Sequence, residues 1–112
     1  MDFKENRPIY LQIIETFEEK IVAGELLPDD RIMSVRELGS TLGVNPNTVM
    51  RCYERMTSDG IIYIKRGLGY YVSEQAKEII QERMRREFIT HELPKVIAKA
   101  KLLNVNLKEY LE

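Results

Sequence analysis

Asn45, Asn47, Thr48 and Arg51 crowd into one short stretch of the chain, and their chemistry is hydrogen bonding rather than bond breaking. Amides and hydroxyls both donate and accept, while a guanidinium presents a flat fork of donors. Such groups bond phosphate oxygens and the base edges of a DNA major groove. Further basic groups flank them, Arg36 ahead and the Lys65-Arg66-Gly67 run behind. Singly, Asn45 reads as a helix cap and Arg51 as a solvated charge. Convergence of three short segments on one face favours a surface for nucleic acid.

Other chemistry finds little support. Paired carboxylates, a nucleophile beside a base, or a phosphate-cradling loop are missing from any plausible pocket context, so the chain does not read as an enzyme and calls for no cofactor. One cysteine, Cys52, and one histidine, His91, are too few for a metal site or a disulfide framework. Both read as structural, His91 at a helix surface or dimer contact. Met33, Met50, Met56, Met84 and the tyrosines read as packing and surface residues, and Arg83, Arg85 and Arg86 as a solvated face shared with Glu82 and Glu87.

The elements that must position these groups can be read from period and punctuation. A first helix is expected from Pro8 to Ala23, with Ile9, Ile13, Phe17 and Ile21 inward and Glu15, Glu18, Glu19 and Lys20 turned to water. Leu26 to Ile32 reads as a turn leading into an extended stretch. Ser34-Val35-Arg36-Glu37 has the spacing of a capping box, which opens a short second helix ending near Leu42. Asn45 then caps a third helix whose first turn holds Pro46 and which runs to about Asp59. Along that helix Val49, Cys52, Tyr53 and Met56 share one side, and Asn47, Arg51 and Arg55 the other. Free backbone amides at its start would suit a phosphate. Ile61 to Lys65 and Tyr70 to Ser73 are β-branched and aromatic runs joined by Arg66-Gly67-Leu68-Gly69, the pattern of a hairpin.

From Glu74 to about Leu103 the chain returns to helical periodicity, with Ala76, Ile80, Met84 and Phe88 on one stripe, Leu93, Ile97 and Ala100 continuing it, and Pro94 kinking or splitting it. Asn106 caps a short closing helix over Leu107 to Glu112. The fold expected is mainly α with a small β-hairpin wing: a winged helix-turn-helix over residues 1–73, followed by a helical C-terminal dimerisation tail over 74–112. Ile80, Met84, Phe88, Leu93 and Ile97 are its candidate dimer contacts, since the small body cannot cover so long an apolar stripe alone.

Composition fits. At 112 residues with 44% hydrophobic and 31% charged content, the chain suits one core plus an appendage. No apolar run approaches the roughly 20 residues of a membrane span and no signal peptide opens it, so a cytoplasmic location is expected. Although the net charge is −1, residues 31–73 hold six Lys/Arg against three Asp/Glu, and residues 1–30 hold three against eight. Local basicity steers DNA to one face and keeps the acidic segment elsewhere.

Pro8-Ile9-Tyr10-Leu11-Gln12-Ile13, Ser34-Val35-Arg36-Glu37-Leu38, Leu42-Gly43-Val44-Asn45-Pro46-Asn47-Thr48-Val49, Tyr53, and Asp59-Gly60-Ile61-Ile62 with Arg66-Gly67-Leu68-Gly69 together resemble the GntR family of bacterial repressors over residues 8–73. Asn-Pro-Asn-Thr and the short helical tail resemble its YtrA-type subfamily. The resemblance implies an operator binder that contacts DNA through Arg36, Asn45, Asn47, Thr48, Arg51 and the Arg66-Gly67 tip. Pro46 stands where some members carry a base-reading arginine, and Asp30, Met33 and Gly39 replace the usual Gly, Pro and Ala.

The expected protein is thus a sequence-specific transcriptional regulator, a repressor by resemblance, that binds an inverted-repeat operator in double-stranded DNA as a homodimer. Residues 74–112 are too few to enclose a sizeable effector pocket, which leaves the dimer interface as the place for any small ligand. A winged-helix module that docks a partner protein is the alternative; it has no need of basic groups at all three points.

Overall fold

The computed structural model describes residues 7–112. Helix α1 (Ile9–Val22) follows Pro8, and α2 (Val35–Leu42) and α3 (Pro46–Ser58) come next. Strands β1 (Ile62–Lys65) and β2 (Gly69–Val72) form an antiparallel hairpin in which Ile62 faces Val72 and Lys65 faces Gly69. Then follow α4 (Ala76–Glu87), a π-helical turn (Phe88–Glu92), α5 (Leu93–Leu102) and a 3-10 turn (Leu107–Tyr110). Two compact units result, the first ending at Ile80 and the second spanning Gln81–Glu112.

The first unit is organised by Tyr53, which is fully buried. Its ring meets Phe17 of α1 and Tyr70 of β2 edge-on, at centroid distances of 5.9 and 4.9 Å, and its hydroxyl donates to the Met33 carbonyl at 2.6 Å. One side chain thereby fixes α1, the hairpin and the entry to α2 relative to α3. Burial pushes this phenol well above its ordinary titration range. Ile13, Val49, Cys52, Met56, Ile61, Val72, Ala76 and Ile80 are among the residues that surround it in the core.

Helix α1 keeps Ile13, Phe17 and Ile21 of the expected face on the core and departs from it at Ile9. Steps of four residues advance about 40° each around a helix, so the row winds, and the buried side follows Ile13, Ile14 and Ile21 while Ile9 stays exposed. Glu18, expected in water, is only 4% exposed.

Helix α2 opens as its sequence demands. Ser34 Oγ accepts from the Glu37 N–H at 3.1 Å, and the Glu37 carboxylate accepts from the Ser34 N–H at 3.3 Å, the reciprocal pair of a capping box. These bonds hold the Glu37 carboxyl below its ordinary value. The turn into α3 is tight: a Cβ on Gly39 would stand 3.0 Å from the Val44 carbonyl oxygen and 3.5 Å from Pro46 Cα. Glycine at this position lets the two helices approach.

The hairpin gains an edge from residues ahead of α2. Ile32 N–H donates to the Tyr70 carbonyl at 3.0 Å, Val72 N–H to the Asp30 carbonyl at 2.9 Å and Asp29 N–H to the Val72 carbonyl at 2.8 Å. The Asp30 carboxylate also accepts from the Leu27 N–H at 2.8 Å, which closes the preceding turn.

The helical stretch expected from Glu74 to about Leu103 is divided just ahead of Pro94, by the π turn Phe88–Glu92. Proline's ring would clash with the carbonyl four residues back, and ahead of it the Leu93 N–H reaches the Phe88 carbonyl five residues behind, the closure of a π turn. Across the five-residue step from Phe88 to Leu93 an α-helix would rotate about 140°; the wider turn takes up that offset. Asn106 caps the closing segment by accepting from the Lys108 N–H at 3.1 Å, and the segment is a 3-10 turn over Leu107–Tyr110 rather than a helix to Glu112.

Candidate nucleic-acid interface

Helix α3 begins as Asn45 Oδ1 accepts from the Asn47 N–H at 2.8 Å, with Pro46 in its first turn. Asn45 is therefore a cap through its side-chain oxygen, and its side-chain NH2 carries two further donors. The expectation of free amides at this end needs correction. Pro46 has no N–H, the Asn47 N–H is capped, and the Thr48 N–H bonds the Asn45 carbonyl at 2.9 Å. Side chains, not backbone donors, are what this helix start offers.

Val49, Cys52, Tyr53 and Met56 are buried, while Asn47 and Arg51 are exposed and Thr48 half-buried. Arg51 reaches back over α1, its guanidinium carbon 4.6 Å from the centre of the Tyr10 ring. Arg55 is instead tied to Asp59 at 3.3 Å. Met50, grouped with the packing and surface residues, is 38% exposed on α3; by helical rotation it falls on the outward arc beside Asn47, a signal available in the periodicity.

Arg36, on the first turn of α2, is exposed with no ion-pair partner among the described residues. At the hairpin, Lys65, Arg66 and Gly67 are all exposed. Lys65 Nζ stands 4.4 Å over Tyr71 and 5.8 Å over Tyr63, whose rings stack at 5.9 Å. Tyr63 also donates to the Asp29 carboxylate, a bond that raises its titration. Leu68 N–H returns to the Lys65 carbonyl at 2.9 Å, and Gly67 at φ +80° supplies the left-handed residue that the turn requires.

Cys52 is buried, its thiol donating to the Tyr10 carbonyl at 3.3 Å, and desolvation pushes its pKa up to about 11. No thiolate is available there for nucleophilic work. Among the described residues no cluster of His, Cys, Asp and Glu could hold a metal. A hollow of about 320 Å³ beside α1 is lined by Ile13, Phe17, Leu26, Ile32, Leu38 and Leu42 together with Thr16, Lys20, Arg31, Met33 and Thr41; that lining has no acid, histidine or cysteine to form a catalytic pair.

Of the candidate dimer contacts, Met84, Phe88 and Ile97 are 37%, 45% and 38% exposed and Leu93 is half-buried. Ile80 differs: it is fully buried in the core of the first unit, so it serves that core and is not free to meet a second chain. Arg85 and Arg86 lie 3.9 and 3.6 Å from Glu82, the exposed charge pairing expected of a solvated face.

Three helices, the last two joined by a tight turn, followed by a glycine-tipped hairpin, define a winged helix-turn-helix DNA-binding protein. The family model for bacterial regulatory proteins of the gntR family matches residues 9–72. The HTH-type transcriptional repressor YtrA of Bacillus subtilis (strain 168) is 37% identical over 112 residues, which are 100% of this chain and 85% of that protein. A GntR family transcriptional regulator from Listeria monocytogenes has the same fold, with a TM-score of 0.77 at 31% identity, covering 96% of this chain and 93% of that one. AraR(DBD), solved in complex with operator ORX1, matches with a TM-score of 0.59 at 28% identity over 64% of this chain and 93% of its own. The chain belongs to the GntR family and is a DNA-binding transcriptional regulator whose relatives are regulators, not enzymes.

Proposed function

We propose that this regulator is a repressor that binds an inverted-repeat operator as a homodimer. Residues 1–73 form the DNA-binding domain and residues 74–112 the dimerisation segment. Arg36, Asn45, Asn47, Thr48 and Arg51 meet the major groove, while Lys65, Arg66 and Gly67 meet backbone or minor groove. The observation that carries this reading is that every one of these side chains but the half-buried Thr48 is exposed, on elements locked together through Tyr53. The repressor sign is supported by the name of the similar YtrA protein.

Dimerisation is supported by the second unit, where Ala100 alone is buried while Phe88, Ile89, Val96, Leu102, Leu103 and Leu111 are exposed. An isolated chain leaves such a surface in water, and a second copy covers it by symmetry. In the dimer two α3 helices enter successive major grooves about 34 Å apart. The regulator acts in the cytoplasm, where its DNA is; no helix of the described residues is long and apolar enough to cross a membrane.

Selection of bound duplexes from a random pool tests this reading. An inverted repeat with half-site centres about 10 base pairs apart is expected. Recovery of no common motif, or of a single unrepeated half-site, contradicts it.

A further inference from the structure

We propose that Tyr10 is a positioning residue for DNA recognition: its ring holds the Arg51 guanidinium in the orientation that α3 presents to the duplex. The inference rests on the assignment of Arg51 as a DNA contact and adds to it a residue on a different helix.

Two consecutive residues of α3 meet this one residue of α1. The Arg51 guanidinium carbon stands 4.6 Å from the ring centre, and the Cys52 thiol donates to the Tyr10 carbonyl at 3.3 Å. Cys52 is fully buried and Tyr10 packs against the core, so the ring is a fixed platform and not a mobile neighbour. A cation–π contact is made to the ring face rather than to an acceptor atom, so it takes up no N–H···O bond of the guanidinium and leaves those donors for a guanine edge or a phosphate. Arg55, the other arginine of α3, is held by the Asp59 carboxylate at 3.3 Å, which takes up a donor. Of the two arginines on this helix, Arg51 alone is both held and open.

An unheld arginine loses rotamer freedom when it docks, and holding it beforehand removes part of that loss. For one side chain this corresponds to about a 2- to 10-fold change in affinity. Tyr10 thus makes α1 a contributor to recognition without touching DNA itself.

A double-mutant cycle on the full chain tests the proposal, with Kd read by fluorescence anisotropy on a duplex selected from a random pool and on a random duplex. Tyr10→Phe, which keeps the ring face, is expected to bind as wild type. Tyr10→Leu should lose about 2- to 10-fold on the selected duplex. In an Arg51→Ala background the same change should cost nothing further, and the Arg51 Nε–H resonance should lose its ring-current shift in Tyr10→Leu alone. Equal losses in both backgrounds mean that Tyr10 acts only through packing and overturn the proposal, as does an unchanged Tyr10→Leu when Arg51→Ala weakens binding. If Arg51→Ala itself binds normally, the DNA role of Arg51 falls and this inference with it. Tyr10→Met, which keeps an apolar contact without a ring, replaces Tyr10→Leu should the latter not fold.

Discussion

Alkaline pH should loosen the junction of α1 and α3. Cys52 is buried beneath Tyr10, and loss of water around its sulfur lifts the thiol from 9.0 to about 11, against the smaller opposing pull of Arg51. The folded chain keeps this proton in a window where the unfolded chain releases it. Stability from Cys52 is therefore fully present below pH 9, and it is lost as pH rises from 9 towards 11, where the unfolded state binds fewer protons. At 1.36 kcal/mol per pH unit of difference, the loss is at most about 3 kcal/mol. Tyr53 shifts in the same direction, chiefly by burial, so wild type continues to weaken above pH 10. Urea unfolding of wild type and Cys52→Ala at pH 8, 9, 10 and 11 reads the effect. The variant should be less stable at pH 8, and the gap should narrow by about 1 to 3 kcal/mol at pH 11. A gap that stays constant across the series refutes the reasoning, because the thiol then titrates alike in both states.

Three further outcomes follow from particular contacts. Tyr53→Phe removes the 2.6 Å bond to the Met33 carbonyl and should cost about 1 to 2 kcal/mol, seen as a melting temperature lower by about 5 to 10 °C. Ser34→Ala removes the cap of α2 and should cost about 1 kcal/mol in urea unfolding, with Ser34→Asp restoring most of it. Phe88→Asp, at a residue 45% exposed in the single chain, should leave the melting of the first unit unchanged while light scattering at micromolar concentration shows monomers in place of dimers.

Much of the first unit was legible because its signals are local. Ser34 with Glu37, Asn45 with Pro46, and the glycines of the hairpin each fix a terminus or turn through bonds within a few residues. What escaped depends on contacts between elements distant in sequence. Nothing near Tyr10 announces that its ring meets Arg51, and nothing near Asp30 announces that its carbonyl pairs with Val72. Ile80 was assigned to a dimer stripe because periodicity cannot tell one apolar partner from another; only packing shows that the first core claims it. Pro94 signalled a disturbance correctly, but the backbone relieves it with a π turn at Phe88–Glu92, a closure that residue preferences do not encode. The basic residues were readable one by one, whereas the commitment of the α3 amides to Asn45 depends on the backbone geometry of the turn.

Salt-dependent anisotropy titration on a selected duplex tests the central claim, that Arg36, Arg51 and Arg66 form a DNA-reading surface, most directly. Wild type should bind with a log Kd that rises steeply and linearly with log salt. Arg36→Ala and Arg51→Ala should lose about 1 to 3 kcal/mol on the selected duplex and less on random DNA, while Arg66→Ala should lose equally on both. Full affinity in all three variants, or binding indifferent to salt, contradicts the account.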